Sequence, residues 1–353
     1  SSINHAKIIG EFLNNFDAII LNDAPSAQAA LGMMRNDSVA IPVLHMHLTS
    51  MVENAAANST NWDKLVAVSP YGMLAAIQYG VPENKTMCIP NGVDVSDVWH
   101  KKDQDFKKSE PLKIVYVGRI ENEQKGVLLL PEIISETLKK TNNINLAVVG
   151  DGPDLPKLQQ MIIDKGLSDY AKFHGALPNE NTIEILKVAD VLIMPSRFEG
   201  LPIVLLEAMS FGVVPLVSRL VGRTDFALRH GENGLLVEVD DVSGFAYNLA
   251  ILAEDRTLLK IISFAAWREA FERFHRDLTG ASYLSLLREL KSKRERGNCP
   301  VRTGNIEITL LGDFPSLPQV LVRPVRKIMR MLGVFKEPAR KPLFFEVSDG
   351  NLR

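Results

Sequence analysis

The stretch PSRFEGLPIVLLEAMSFG, residues 195–212, decides the predicted fold. The run before it, Val188–Pro195, is rich in Val, Leu and Ile, which is typical of a strand buried on both faces of a sheet. A polar turn with Glu199 and Gly200 follows, and the segment IVLLEAM after the turn has the composition of a buried helix. The stretch therefore predicts a strand–turn–helix unit of a parallel sheet, with Glu199 in the turn and Glu207 on the helix.

The two glutamates are eight residues apart, which corresponds to about 12 Å along a helix. Carboxylates accept hydrogen bonds from hydroxyls, so the spacing fits two neighbouring polyol rings. Gly200 lets a ligand approach the backbone, and the start of the helix offers free N–H groups to an anion such as phosphate. The alternative is an ordinary strand–turn–helix unit with two incidental glutamates, and the spacing alone does not decide between the two.

The segment EGLPIVLLEAM resembles, nearly letter for letter, the E-x7-E motif of the retaining family-four glycosyltransferases of the GT-B fold. The resemblance implies an α/β protein with two Rossmann-like, doubly wound domains. It implies that Glu199 binds hydroxyls of the transferred sugar and that Glu207 binds the ribose of a nucleotide-sugar donor. It also places Gly200, Leu201 and Pro202 in the donor site.

Length and composition narrow the class of protein. The 353 residues leave room for two domains, and 46% hydrophobic with 23% charged residues is typical of a globular chain. A formal net charge of −2 argues against a nucleic-acid partner. Cys88 and Cys299 give no disulfide framework, and no apolar run reaches the about 18 residues that a membrane span needs. The start of the chain lacks the features of a signal peptide. We expect a cytoplasmic protein, either free or peripheral on the inner face of the plasma membrane.

Residues 1–95 alternate predicted strands with predicted helices, which favours a parallel sheet. The predicted strands are Phe16–Asp23, Ser38–His47, Asp63–Ser69 and Lys85–Asp94, and the predicted helices are His5–Asn15 and Gly72–Tyr79. This order resembles the second half of a GT-B N-terminal domain, so we expect a partial domain that lacks its first half. Residues 96–111 are predicted to be a polar linker. The D-x-D pattern at Asp103–Asp105 lies in it among lysines, and we interpret it as a solvated face with no metal site.

Residues 112–270 show the same alternation and are predicted to be a second doubly wound domain. Ligands in such sheets bind at the carboxyl ends of the strands. A long helix is predicted over Arg268–Leu290, and the resemblance implies that its part 271–290 crosses back to cover the N-terminal domain. Residues 291–353 are predicted to be a basic extension. In it, Val320–Lys336 alternates apolar and basic residues, which fits either a peripheral membrane helix or a surface helix packed on its own domain.

Arg119 and Lys125 follow the predicted strand Leu112–Gly118, so both project from its carboxyl end. Arginine offers a planar fork and lysine a point charge to phosphate oxygens. The pair resembles the diphosphate-binding residues of the family, with one residue more between them than in many members. Solvated side chains are the alternative.

Two glycines mark the next strand ends. Gly150 lies in GDGP, which is not G-x-G-x-x-G, so an NAD-type site is poorly supported. The resemblance places Gly150 near the donor and Gly175, in the segment Phe173–Leu177, near the nucleobase. A tight structural turn is the alternative for Gly150.

His45 and His47 end a predicted strand, but no third ligand for a metal is apparent nearby. The resemblance implies that a histidine at this strand end faces the transferred sugar, a place that His47 fits best and His45 second. The segment Val221–Thr224 departs from the Gly-Gly pair that is common in the family. Arg223 there points either towards the donor or outward, and both orientations stay open.

Together with these observations, the resemblance implies a retaining, metal-independent transfer of a hexose from a nucleotide-sugar to a hydroxyl of a glycan or lipid-linked acceptor in cell-surface glycan biosynthesis. Arg119 and Lys125 would stabilise the charge on the leaving diphosphate. No cofactor is expected besides the donor, and an anionic membrane surface is a further candidate partner. Two alternatives remain, a nucleotide-sugar epimerase of the same fold and a non-catalytic module that binds a nucleotide-sugar.

Overall fold

The computed structural model describes residues 2–302, apart from 29, 47, 48, 100, 102–105, 298 and 300. The described residues lie within one compact unit. A first parallel sheet has the strand order β1-β2-β3-β4. Its strands are Ala18–Asn22 (β1), Val39–Leu44 (β2), Leu65–Ala67 (β3) and Thr86–Cys88 (β4).

A second parallel sheet has the order β10-β9-β8-β5-β6-β7. Its strands are Leu112–Val117 (β5), Ile144–Val149 (β6), Ala171–Gly175 (β7), Val191–Met194 (β8), Val214–Ser218 (β9) and Leu235–Val237 (β10). The order reverses between β5 and β8, because the chain first builds outward to β7 and then returns to the other side of β5. Such a reversal opens a crevice at the carboxyl ends of the two strands, where doubly wound sheets bind ligands.

Helices connect the strands. In the first half of the described chain they are Ser2–Leu13 (α1), Pro25–Gln28 (α2), Thr49–Ala57 (α3), Pro70–Gln78 (α4), Asn122–Lys125 (α5), Leu130–Leu138 (α6) and Leu155–Asp164 (α7). They continue as Asn179–Val188 (α8), Ile203–Ser210 (α9), Thr224–Ala227 (α10), Val242–Glu254 (α11), Arg256–Arg273 (α12) and Arg276–Glu295 (α13).

The predicted α/β class with two parallel sheets is confirmed. The predicted strand before the Glu199 turn is β8, and all four of its residues are buried, as expected for a strand covered on both faces. The domain boundaries at 95, 111, 270 and 290 stay predictions.

The predicted single helix over Arg268–Leu290 is wrong in one respect, because the structure has two helices there, α12 and α13. Between them, Phe274 is fully buried, and its carbonyl accepts the N–H of Val93 at 2.9 Å. The N–H of Arg276 donates to the carbonyl of Val93 at 2.9 Å. The chain thus leaves the helical path to pair with the end of the first domain, and no Gly or Pro in the sequence marks the break.

One hydrophobic cluster joins the two sheets. It contains Ile41 of β2, Leu192 of β8, and Leu286 of α13, all of them buried. A second cluster, with Ile114 and Ile193, covers the opposite face of the second sheet. The helix α13 contributes further to the junction, since Thr279 Oγ1 donates to the Pro90 carbonyl at 3.1 Å.

The predicted linker packs on the second domain where it is described. Trp99 and Lys101 are buried, and the Lys101 ammonium donates to the carbonyl of Ala189. Burial lowers the pKa of Lys101 to about 8. Trp99 and Lys101 are therefore not solvated. The predicted solvated face at Asp103–Asp105 lies outside the described residues and stays a prediction. Among the helices of the described part of the chain, none is long and apolar enough to cross a membrane.

Candidate functional site

An ion pair stands at the point where the strand order reverses. The Lys125 Nζ lies 2.7 Å from the Glu199 Oε1, and the two side chains are 21% and 6% exposed. Lys125 ends α5, which follows β5, and Glu199 lies in the loop between β8 and α9. Because β5 and β8 are neighbours, the fold brings together two side chains 74 residues apart in sequence.

The loops that carry the ion pair are fixed by hydrogen bonds. The Glu121 carboxylate caps α5 by accepting the N–H groups of Glu123 and Gln124, at 2.6 and 3.1 Å. The Gln124 amide donates to the Phe198 carbonyl at 3.3 Å, and the Arg197 N–H donates to the Gln124 carbonyl at 2.8 Å. Lys125 and Glu199 are therefore held in register by the backbone on both sides.

Glu207 lies on α9 and has no hydrogen-bond or ion-pair partner for its carboxylate among the described residues. Burial raises its pKa above the ordinary value of 4.5. The helix begins at Ile203, so only the last five of the eight residues from Gly200 to Glu207 are helical. The expected separation of about 12 Å assumed a continuous helix, and that assumption is wrong. An unpaired, partly buried carboxylate is suited to accept hydrogen bonds from hydroxyls of a ligand.

Arg119 follows β5 directly, and its side chain is exposed. Next to it, the carboxyl ends of β5, β6 and β7 form a backbone surface of glycines. The Gly118 N–H donates to the Val149 carbonyl at 3.0 Å, and the Gly150 N–H to the Gly175 carbonyl at 2.8 Å. A Cβ at Gly150 would lie 1.8 Å from the carbonyl oxygen of Gly118, so no other residue fits there without moving the backbone.

The loops of the first sheet meet those of the second at this place. A Cβ at Gly200 would lie 1.8 Å from the carbonyl oxygen of His45, so the two loops touch through their backbones. The Gln124 amide lies 3.8 Å from the Met46 sulfur. The Asn91 amide donates to the carbonyl of Leu201 at 3.1 Å. The predicted site is thus an interface between the carboxyl ends of both sheets.

The structure places the other predicted residues as follows. Leu201 and Pro202 are buried at the start of α9. His45 directly follows β2, and its Nε2 lies 2.9 Å from the Asn22 side-chain oxygen. His47 lies outside the described residues, as does the segment Val320–Lys336.

Two features were not predicted from the sequence. Asp23 has a φ of 40°, and its carboxylate accepts the N–H of His45 at 3.0 Å, which orders the loop after β2. Burial raises the pKa of Asp23, although the hydrogen bond from His45 opposes this. Arg223 stacks on Tyr71, with its guanidinium carbon 3.7 Å from the ring centroid. Both contacts join segments far apart in sequence, which local patterns do not show.

Arg119 and Lys125 follow β5, whereas Glu199 and Glu207 follow β8, the neighbouring strand. Arg119 and Lys125 can neutralise a diphosphate, while Glu207 and a released Glu199 can accept hydroxyl hydrogen bonds. In the described part of the chain, no group of three or more His, Cys, Asp or Glu side chains could hold a metal ion.

Comparisons with known proteins concern the family and the fold of the chain. Residues 97–267 match the model of the family "Glycosyl transferases group 1". The chain is 28% identical over 186 residues to N-acetyl-alpha-D-glucosaminyl L-malate synthase of Bacillus anthracis, which covers 52% of this chain and 46% of the relative. It is 25% identical over 246 residues to lipopolysaccharide 1,6-galactosyltransferase of Escherichia coli, covering 68% of this chain and 67% of the relative. The chain therefore spans about half the length of the first of these relatives.

Among solved structures, HepE of Anabaena in complex with UDP and glucose is similar, with a TM-score of 0.69 at 20% identity. The match covers 80% of this chain and 81% of HepE. At this identity the likeness concerns the fold alone. The chain thus has the GT-B fold that the E-x7-E motif predicted, and its residues 97–267 match the model of the glycosyl transferases group 1 family.

Proposed function

We propose that the protein transfers a hexose from a nucleotide-sugar to an acceptor hydroxyl, with retention of configuration and without a metal ion. The observation that carries the proposal is the ion pair between Lys125 and Glu199 at the junction of β5 and β8. Lys125 and Glu199 lie at the ends of adjacent strands, where a donor would need one group for its phosphates and the other for its sugar.

The ion pair suggests how the donor is bound. Without the donor, Lys125 and Glu199 neutralise each other. A bound diphosphate would draw Lys125 towards its oxygens, because its negative charge is larger, and Glu199 would then be free for sugar hydroxyls. Arg119 would add a second cation, and both would stabilise the charge that develops on the leaving diphosphate. Glu207 would accept hydrogen bonds from the ribose.

The acceptor side would be formed by the loop after β2, where Gly200 meets the carbonyl of His45. We propose His47 as the histidine that faces the transferred sugar. A relative named for lipopolysaccharide galactosylation supports an acceptor in surface glycan synthesis. Two free cysteines support a reducing, cytoplasmic location.

The test is calorimetry with UDP, GDP and ADP in the presence of a chelator. One nucleotide should bind, and Lys125→Met should weaken its binding by about 1.5–3 kcal/mol, the size of a hydrogen bond to a charged group. Lys187→Met, which removes an exposed lysine of another ion pair, is the matched control and should bind normally. Strict dependence on added magnesium or manganese would contradict the metal-free proposal.

Product analysis separates the proposal from its alternatives. A transferred sugar with an unchanged anomeric configuration supports a retaining transferase. An epimerised nucleotide-sugar would point to the epimerase. A donor that is bound but returned unchanged with every acceptor class offered would point to the binding module.

A further inference from the structure

Arg223 lies in the loop after β9, next to β8 in the sheet and on the side away from β5. The Glu199 loop therefore has Lys125 on one side and Arg223 on the other. A donor with its diphosphate at Lys125 and its sugar at Glu199 would extend towards Arg223. Arg223 is thus placed beyond the sugar, at a distance from the phosphates.

Contacts with the first domain fix Arg223 in this place. Its guanidinium carbon lies 3.7 Å from the centre of the Tyr71 ring. The N–H of Tyr71 donates to the Gly222 carbonyl at 3.2 Å. A Cβ at Gly222 would lie 3.1 Å from the backbone nitrogen of Tyr71, so glycine allows the two loops to approach. Of the two orientations that the sequence left open, the structure has Arg223 packed against the opposite loop rather than pointing outward.

Arg223 has no counterion among the described residues. Its Nε is buried and has no hydrogen-bond partner. The nearby carboxylates are engaged elsewhere, since Asp225 accepts the N–H of Gly222 at 2.6 Å and Glu199 pairs with Lys125. Burial lowers the pKa of Arg223, while Tyr71, Asp225 and Glu199 act in the opposite direction.

The lack of a counterion distinguishes Arg223 from the neighbouring arginines in the sequence. Arg219, four residues earlier, pairs with Glu238 at 3.2 Å, and Arg229, six residues later, pairs with Glu269 at 2.7 Å. A partly buried cation without a counterion carries a desolvation cost that a ligand anion can offset. The planar guanidinium, with its carbon 3.7 Å from the centre of the Tyr71 ring, presents a fork that matches carboxylate and phosphate oxygens.

We propose that Arg223 is a specificity-determining residue that binds a carboxylate or phosphate group on the transferred sugar or on the acceptor. The inference rests on the proposed function, because it assumes that the sugar lies at Glu199. It narrows the substrate class to donors with an acidic sugar or to acceptors with an anionic group.

Binding measurements on the whole chain test the proposal, with Arg223→Gln as the variant and Arg219→Gln as the matched control. In the first arm, glucuronic acid 1-phosphate is compared with glucose 1-phosphate. In the second arm, the nucleoside diphosphate that binds tightest among UDP, GDP and ADP is kept saturating, and glycerol 3-phosphate is compared with glycerol. Melting curves verify that both variants are folded.

We expect the wild type and Arg219→Gln to prefer the anionic ligand at least tenfold in one arm, and Arg223→Gln to lose that preference. The first arm would identify the transferred sugar as the source of the anion, and the second would identify the acceptor. The proposal is overturned if neither arm shows a preference, or if Arg223→Gln keeps it. It is also overturned if Arg223→Gln weakens the nucleoside diphosphate as Lys125→Met does, since Arg223 would then bind the phosphates. A wild type that binds no nucleoside diphosphate would instead contradict the proposed function itself.

Discussion

At the residue scale, Lys125 and Glu199 have competing partners. Their mutual ion pair at 2.7 Å must be broken before Lys125 can bind a phosphate. Donor affinity therefore reflects the difference between two interactions of the same ammonium group. Glu199 is the more buried of the two. Replacing it with a neutral residue therefore changes the charge of the site more than it changes the solvent-exposed surface.

Glu199→Gln should strengthen binding of the nucleoside diphosphate, because the amide leaves Lys125 free for the phosphates. We expect a gain of about 1 kcal/mol, roughly fivefold, which is the upper end of the range for solvent-screened ion pairs. Calorimetry measures it, with Glu184→Gln as the control that frees an exposed lysine elsewhere. Transfer should fall in Glu199→Gln, since the sugar loses its carboxylate. Unchanged or weaker nucleotide binding would mean that the ion pair does not compete with the donor.

Nucleotide affinity should depend on pH through Glu207. Burial raises its pKa above 4.5, so the empty site is partly protonated just above that pH. A ribose hydroxyl binds the charged form better, so binding displaces a proton, and affinity rises with pH until the raised pKa is passed. The stability of the empty protein has the opposite slope, because its folded state holds the proton more tightly.

Calorimetry from pH 4.5 to neutral pH checks this dependence. In Glu207→Gln, the part of the rise in nucleotide affinity with pH that is due to Glu207 should disappear. Titration of the nucleotide phosphate contributes equally to the wild type and to the variant. Identical pH profiles for the wild type and Glu207→Gln would exclude Glu207 as the ribose ligand.

The sequence predicted where Lys125 and Glu199 lie in the fold, because both follow strand ends, which apolar runs mark clearly. Lys125 and Glu199 were both predicted to lie in the site. Their ion pair was not, because it depends on β5 and β8 being neighbours. The stacking of Arg223 on Tyr71 was missed for a similar reason, since it joins loops of two sheets.

At the element scale, the loops of the two sheets approach so closely that side chains are excluded. Gly200 is the clearest case, with the carbonyl oxygen of His45 1.8 Å from where a Cβ would be. The glycine was predicted to admit a ligand to the backbone. In the structure a second loop occupies that side, so the residue determines how near the sheets come to each other.

Gly200→Ala should force the loop after β2 away from the loop after β8. We expect a stability loss of about 1–3 kcal/mol, as for other overpacked positions, and at least a tenfold lower transfer rate. Gly280→Ala is the matched control, because a Cβ there meets no atom within 4 Å and α13 should gain up to about 1 kcal/mol. Urea unfolding and a transfer assay measure both variants. An active, stable Gly200→Ala would show that the loops separate easily.

At the scale of the whole molecule, the end of the described chain returns to the first sheet. Arg294 of α13 lies 2.7 Å from Asp63, and Arg302 lies 3.5 Å from the other oxygen of the same carboxylate. All three side chains are at most 3% exposed. The resemblance implied that a helix crosses back here. The buried charges could not be predicted, because Asp63 and Arg294 are 231 residues apart and each lies in an ordinary polar context.

The cluster contains two arginines and one carboxylate, Asp63. Backbone carbonyls accept hydrogen bonds from the arginine that the carboxylate does not neutralise. Arg302 donates to the carbonyls of Asn61 and Ser38, at 2.9 and 2.7 Å, and also to that of Arg35. Burial, with Arg294 as the next cause, lowers the pKa of Arg302 to about 10. Asp63 is therefore the only carboxylate among the described residues that pairs with both guanidiniums, whereas each arginine has a second set of partners.

This asymmetry predicts an order of stabilities. Asp63→Asn removes the carboxylate that both buried guanidiniums share and should cost about 3–5 kcal/mol. Arg302→Met leaves Asp63 paired with Arg294 and loses hydrogen bonds to carbonyls, so it should cost less, about 1–3 kcal/mol. Adding Arg302→Met to Asp63→Asn should recover part of the loss, since it removes one of the two like charges. Urea unfolding of the three variants measures the order. Two outcomes would contradict this order: equal losses of unfolding free energy in the two single variants, or a loss in the double variant that equals the sum of the single losses. Either would mean that the backbone carbonyls, rather than Asp63, stabilise the two arginines.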